Sequence, residues 1–459
     1  MNENGPLLWA PRAWIDGRWH EAVRLLVGTD GHWAEVRAGV APTAEAVVLP
    51  GPVLPGMVDA HSHAFQRAFA GLAERRSGER DDFWSWRDRM YDVALRITPG
   101  QLCAVATQLY LELLHGGYTQ VCEFHYLHHE PDGRKYPDPL ALTWALADAA
   151  TESGIGLTVL PVLYERAGFT EPALRTGQRR FASSVDDVLA MLRGLQECHR
   201  SGLTAGAAIH SLRAAAPVSI ARLVEALGDV PIHIHVAEQT GEVDDCLAAT
   251  GERPIEWLTR HVALDARWQL VHATHSTQAE IVAVARSGAG VVLCPSTEAN
   301  LGDGLADLPG WLGAGAGLSV GSDSQVTRSW CEELRGLEYG QRLHLHRRNV
   351  AAEPDKGQPA TAAYLLSRML SGGGAAAGFA RWGLVSGARA DLLVLDTSDP
   401  GLLGIPNTHL LDALVFSSPG RPFRDVMVGG QWVLRDHRHQ HAARIARQCA
   451  EAMRTLWPG

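Results

Sequence analysis

Apolar positions along the chain fall into two textures. Between residues 55 and about 382 they come as short continuous runs: "VLPGMVDAHSH", "GYTQVCEFHY", "GIGLTVLPVLYE", "AGAAIHS", "PIHIHVAE", "WQLVHAT", "GVVLCPST" and "GLSVGSDS". Unbroken apolar runs bounded by turn residues read as strands buried on both faces, the pattern of a parallel sheet. Segments with helical periodicity, such as "SIARLVEAL" and "TQAEIVAVARSG", lie between them. Eight strands alternating with helices predict an α/β fold, a (β/α)8 TIM-like barrel. A doubly wound sheet gives the same alternation. Polar residues gather at the C-terminal ends of many of these runs, which favours the barrel, whose active sites are built there.

The flanks read differently. "LLWAPRAWIDGRWHEAVRLLVGTDGHWAEVRAG" near the start, and "GLVSGARADLLVLD" and "DVMVGGQWVLRDHRH" near the end, alternate apolar and polar residues between turn signals, as half-buried antiparallel strands do. The expected organisation is a small β-sandwich domain formed by both termini. Residues 1–54 supply its N-terminal part, the barrel takes 55–382, and 383–459 add its C-terminal part with a terminal helix. "WCEELRGLEYGQRLHLHRR" and "TAAYLLSRMLSGGGAAAGF" read as helices. In that setting His344 and His346 do not share a face as strand residues two apart would.

Charge and composition narrow the function. The net charge of -10 opposes a nucleic-acid partner, which a basic face would have to hold. An anionic substrate would need local arginines, because the overall field opposes it; lysine occurs only at 135 and 356. No stretch reaches the roughly 18 apolar residues of a membrane span, and the N-terminus carries no signal-peptide pattern. The expected location is cytoplasmic, without a membrane partner. The seven cysteines stand singly, without paired spacing, and are expected to be reduced.

Candidate chemistry starts with "DAHSH". His61 and His63 are two apart on a strand and project to the same side, as two ligands of one ion require. His233, His235 and Glu238 close the fifth run, His272 and His275 the sixth, and Asp323 the eighth. Two histidines from the first strand, one from the fifth and an aspartate from the eighth make a three-nitrogen, one-oxygen set suited to zinc. Iron(II) or manganese(II) would fit the same donors.

In order and position these residues resemble the amidohydrolase superfamily, over essentially the whole chain. Binuclear branches bridge two metals with a carboxylated lysine on strand four. Here that strand reads "AGAAIHSLRAA" and has no lysine, so the resemblance implies one metal per subunit. It makes His61, His63, His235 and Asp323 the ligands and leaves His233 a buried structural residue. Glu238, three residues past His235, becomes the catalytic acid, and His272 stands beside the hydrolytic water without ligating.

Within the superfamily, "HSHAFQRAFAGL", "FWSWRDRMY", "EFHYLHH", "HSLRAA" and "CPSTEANLGDG" resemble the formimidoylglutamate deiminase family. That resemblance implies hydrolysis of N-formimino-L-glutamate to N-formyl-L-glutamate and ammonia, in histidine degradation. It assigns Gln66, Arg87, Tyr126, His210 and Arg213 to substrate. Catalytic roles fall to Glu238, His272 and Asp323, the last two positioning the water and accepting its proton. The chemistry of the substrate agrees, since two carboxylates call for guanidinium forks and the formimino nitrogens for acceptors such as Glu238 and Gln66.

Taken without the resemblance, Arg87 would pair with Asp88 or Asp92 on a helix face, and Arg213 would cap a helix or pair with a surface acid. Two rivals stand beside the main reading: a mononuclear deaminase of a nucleobase or related heterocycle, and a non-catalytic scaffold of the same fold. Glu123, His275 and Glu298 receive no role, and homodimerisation stays open. The aromatic-rich connection around Arg87 would suit a lid.

Overall fold

The computed structural model describes residues 5–75 and 83–457, with the side chains of residues 83–85 left out. The connection after the first barrel strand, where a lid was expected, lies partly outside the described residues.

The barrel strands are β6 (Met57–Ser62), β7 (Tyr118–His125), β8 (Gly156–Leu163), β9 (Leu203–Ala205) with β10 (Ala207–Ile209), β11 (Ile232–Val236), β12 (Trp268–His272), β13 (Gly290–Leu293) and β14 (Gly317–Val320). All are parallel, in spatial order β14-β13-β12-β11-β10-β8-β7-β6. β6, β7, β8 and β11 are buried at every position, because helices cover the outside while neighbouring strands fill the inside. β9 and β10 are one strand interrupted at Gly206, where a Cβ would stand 2.5 Å from the Pro231 carbonyl oxygen. Closure between β14 and β6 rests on a single bridge, Ser62 with Asp323.

The terminal strands make a separate mixed sheet. β1 (Leu7–Ile15), β2 (Arg18–Val27), β3 (Trp33–Arg37), β4 (Val47–Val48) and β5 (Val53–Pro55) come from the N-terminal side; β15 (Leu392–Leu395), β16 (Phe423–Val428) and β17 (Gln431–Leu434) come from the other. Their order is β17-β16-β15-β5-β1-β2-β3, with β4 paired to β1. Leu8, Val23, Leu25, Val53, Leu392 and Met427 form its own apolar core.

The final helix, Ala442–Leu456, packs on the barrel helix Pro99–His115, and Trp457 Nε1 donates to the Ala68 carbonyl at 2.8 Å. All seven cysteines are free thiols. Among the described residues no helix is long and apolar enough to cross a membrane.

Candidate metal centre and substrate pocket

The C-terminal ends of β6, β11, β12 and β14 converge. His61 Nε2 lies 3.1 Å from His63 Nε2 and 3.0 Å from His235 Nε2. Asp323 Oδ1 stands 3.5 Å from the first and 3.4 Å from the second. Donors that share one zinc ion stand about 3.3 Å apart, and the three imidazole nitrogens lie close to that spacing, grouped as ligands of one ion would be.

The tautomers agree with that reading. His63 Nδ1 bonds the Phe124 carbonyl at 3.0 Å and His235 Nδ1 the His210 carbonyl at 3.0 Å. A carbonyl can only accept, so each Nδ1 carries the proton and each Nε2 offers its lone pair inward. Burial holds His61 neutral, with its pKa lowered to about 3, and likewise lowers His63 and His235. For Asp323 burial pushes upward, yet the bond to His61 and the neighbouring imidazoles keep it below the usual carboxylate range. Neutral imidazoles with an ionised carboxylate are the protonation states a cation requires. His233 points elsewhere, its Nε2 on the Ala376 carbonyl at 2.8 Å.

Beside this set His272 is surrounded by acids. Its Nε2 faces Glu238 Oε1 at 3.6 Å and Asp323 Oδ2 at 3.8 Å, and its Nδ1 meets Glu298 Oε1 at 3.3 Å. Burial works against its charge, but Glu238, the Glu298 bond and Asp323 outweigh it and raise the pKa to about 10. Glu238 is itself raised to about 7, chiefly by burial, with His272 opposing and Asp323 and Glu242 adding to the rise. Its backbone N–H donates to Glu242 Oε2 at 3.1 Å. Ala237, His272, Ala273 and Asp323 all hold left-handed φ angles, between 48° and 70°. Such conformations cost about 1–3 kcal/mol each in a non-glycine residue and gather at functional sites.

Above the donors opens a pocket lined by His63, Gln66, Arg87, Tyr126, His210, Arg213, His235, Glu238, His272 and Asp323. These are all the residues that the sequence assigned to metal, substrate or catalysis except His61, which is fully buried; His233, His275, Glu123 and Glu298 lie outside the lining. Gln66 Nε2 donates to Tyr126 Oη at 3.2 Å. Arg87 lies over the Tyr91 ring at 5.5 Å. Burial lowers its pKa, Tyr91 opposes, and the like charge of Arg213 lowers it further. Two cations facing one cavity are arranged to receive anionic groups.

Several lining residues were not foreseen: Trp86, Met90, Tyr91, Tyr164, Phe181, Thr297 and Leu301. Tyr164 stands just past the end of β8, so the rule that placed the other strand-end residues could have found it. His275 lies outside the pocket lining, two residues before Thr277, which caps the helix Gln278–Ser287. Glu298 gains a place, accepting from the Cys294 N–H at 2.9 Å while bonding His272.

The amidohydrolase family model matches residues 53–433. The chain belongs to the amidohydrolase family. It is 47% identical to the formimidoylglutamate deiminase of Pseudomonas aeruginosa over 98% of this chain and 99% of that protein. The crystal structure of an amidohydrolase from Brucella melitensis superposes with a TM-score of 0.93 at 40% identity, over 98% of this chain and 99% of that one. At fold level, this amidohydrolase superposes on a zinc-bound adenosine deaminase from Xanthomonas campestris with a TM-score of 0.81 at 22% identity, covering 98% of each chain. The buried His61, His63 and His235 are thus the histidine cluster of an amidohydrolase metal centre.

Proposed function

We propose that this amidohydrolase hydrolyses N-formimino-L-glutamate to N-formyl-L-glutamate and ammonia, with one zinc ion per subunit held by His61, His63, His235 and Asp323. The observation that carries the substrate is the placement of Arg87 and Arg213 in the same cavity as the donor set. Two guanidinium forks match two carboxylates, whereas a neutral nucleobase carries no carboxylate to pair with either. The 47% identity to the Pseudomonas aeruginosa enzyme supports the same choice. In this reading residues 55–382 carry the chemistry, residues 1–54 and 383–459 form the accompanying domain, and the enzyme works in the cytoplasm on a small dicarboxylate.

Zinc bound there would supply Lewis acidity and lower the pKa of the hydrolytic water. Arg87 and Arg213 hold the carboxylates, with Tyr126 and His210 as hydrogen-bond partners. Gln66 and Glu238 face the formimino nitrogens. Asp323 orients the attacking water and takes its proton. The sequence offers His272 as a second acceptor; the bond to Glu298 and the charge of Asp323 favour its protonated form, and that form would orient the water and stabilise negative charge as it develops. Glu238, with its pKa raised to about 7, delivers a proton to the terminal nitrogen. The water oxygen becomes the formyl oxygen as its second proton passes to the carboxylate left on Glu238, the bond from carbon to that nitrogen breaks, and ammonia leaves.

Ammonia release from formiminoglutamate, measured beside adenine, guanine and cytosine derivatives on the zinc-loaded protein, tests this reading. Release from formiminoglutamate alone is expected; release only from a heterocycle would replace the substrate while keeping the metal chemistry.

A further inference from the structure

Three of the four proposed ligands meet at the weakest join of the barrel. β6 and β14 share no ladder: their ends are linked by the Asp323 N–H to the His61 carbonyl at 2.9 Å and the His63 N–H to the Asp323 carbonyl at 3.2 Å. The strands approach so closely that a Cβ on Gly321 would stand 2.7–2.8 Å from atoms of His61. Asp323 and Gln325 both hold left-handed backbone, with φ of 48° and 69°. A segment strained in this way keeps its shape only where its surroundings over-determine it.

One side chain spans the join. Gln325 is fully buried and lies outside the pocket lining. Its Nε2 donates to Ser62 Oγ at 3.0 Å, between His61 and His63, and to the Asp323 carbonyl at 2.8 Å. Its Oε1 accepts from Ser322 Oγ at 3.0 Å. The amide cannot be turned round, because the Asp323 carbonyl takes only a donor. The Ser62 hydroxyl, having accepted from Gln325, passes its own hydrogen to Glu123 Oε2 at 2.9 Å. The other Glu123 oxygen takes the Ala64 N–H at 2.6 Å. Glu123, at the end of β7, is thereby tied through Ser62 and Gln325 to the segment carrying Asp323.

We infer that Gln325 is a positioning residue for the metal centre: it fixes the His61–His63 segment against Asp323 and so sets how long the ion is retained. The inference rests on reading this donor set as a one-metal site, and adds a residue that touches neither metal nor substrate. Hydrogen-bonded partners behind metal ligands typically govern affinity by about 10–100-fold.

The test uses the zinc-loaded full-length protein and follows transfer of zinc to a chromogenic chelator. Gln325→Met keeps volume and removes both donor and acceptor, while Ser62→Ala removes only the hydroxyl that Gln325 holds. Each variant is expected to bind one zinc at the outset and to lose it about 10–100-fold faster than wild type, with KM for substrate unchanged. The double variant should lose zinc more slowly than the product of the two single effects, because both remove the Gln325–Ser62 bond. A generally loosened barrel would instead move KM and give additive effects. Should Gln325→Met fail to fold, Ser62→Ala decides alone. Zinc lost at the wild-type rate from the variants overturns the inference; a wild-type protein that takes up no zinc overturns the reading of the centre itself.

Discussion

Glu238 stands at the end of β11 with its carboxyl buried, 3.6 Å from the His272 ring and within the field of Asp323. Its pKa is raised from 4.5 to about 7, a shift that corresponds to about 3 kcal/mol favouring the protonated acid. At pH 6 roughly nine in ten molecules hold that proton, and at pH 8 roughly one in ten. If Glu238 is the acid that reaches the departing nitrogen, kcat/KM falls about tenfold per unit as pH rises above 7. Glu238→Gln keeps the size of the side chain and its neutral state but has no proton to give. Loss of general acid catalysis is expected to lower kcat by about 10²–10⁴-fold, while zinc content stays at one per chain and KM shifts little. The assay is initial-rate ammonia release between pH 5.5 and pH 9 at ~0.1 M ionic strength, with zinc measured on the same samples. The residual rate of Glu238→Gln should lack the limb near pH 7. A variant within tenfold of wild type, or one that keeps the limb, would show that another group delivers the proton.

Other consequences are equally direct. Arg213→Ala removes a charged donor to a carboxylate worth about 1.5–3 kcal/mol per hydrogen bond, so KM for formiminoglutamate should rise by roughly 10–150-fold. Turnover of a small formamidine without carboxylates should be the same in both proteins, and a matching loss there would mean that Arg213 supports the fold. Ser322 Oγ lies 2.5 Å from Asp59 Oδ2 as well as bonding Gln325, and its N–H donates to Asp59 Oδ1. One hydroxyl hydrogen cannot serve both contacts, so Asp59 is the donor in the first. Asp59→Asn, whose amide donates in the same place, should therefore unfold within about 1 kcal/mol of wild type, and Asp59→Leu should lose about 1–3 kcal/mol for the polar groups it strands; denaturant titration distinguishes them. Removing zinc with a chelator should lower Tm and abolish ammonia release, both returning with stoichiometric zinc, because the ion binds only the folded donor set.

Much of this arrangement was legible in the sequence because it obeys short periods. Alternation along β6 put His61 and His63 on one side, and the position of each polar residue at a strand end brought His235, Glu238, His272 and Asp323 to one face of the barrel. Lysine stands at only two positions, Lys135 on Asp187 and Lys356 on Glu353, neither at a barrel strand end. What the sequence could not display are contacts made across the barrel. Glu298 meets His272 only because the helix Pro295–Leu301 begins directly after β13. Gln325 reaches Ser62 across 263 positions, and no local pattern marks a glutamine as the connector of two ligand segments. The helical period of the last segment identified a helix but could not say that its apolar side covers the barrel, since amphipathicity names a face and not its partner.

The most direct test of the account is a proton NMR record of N-formimino-L-glutamate with the zinc-loaded protein, read together with enzymatic ammonia determination. The account predicts that the formimino signal is replaced by the formyl signal of N-formyl-L-glutamate, with one ammonia released per molecule converted. An unchanged substrate, or conversion that yields no ammonia, would contradict it.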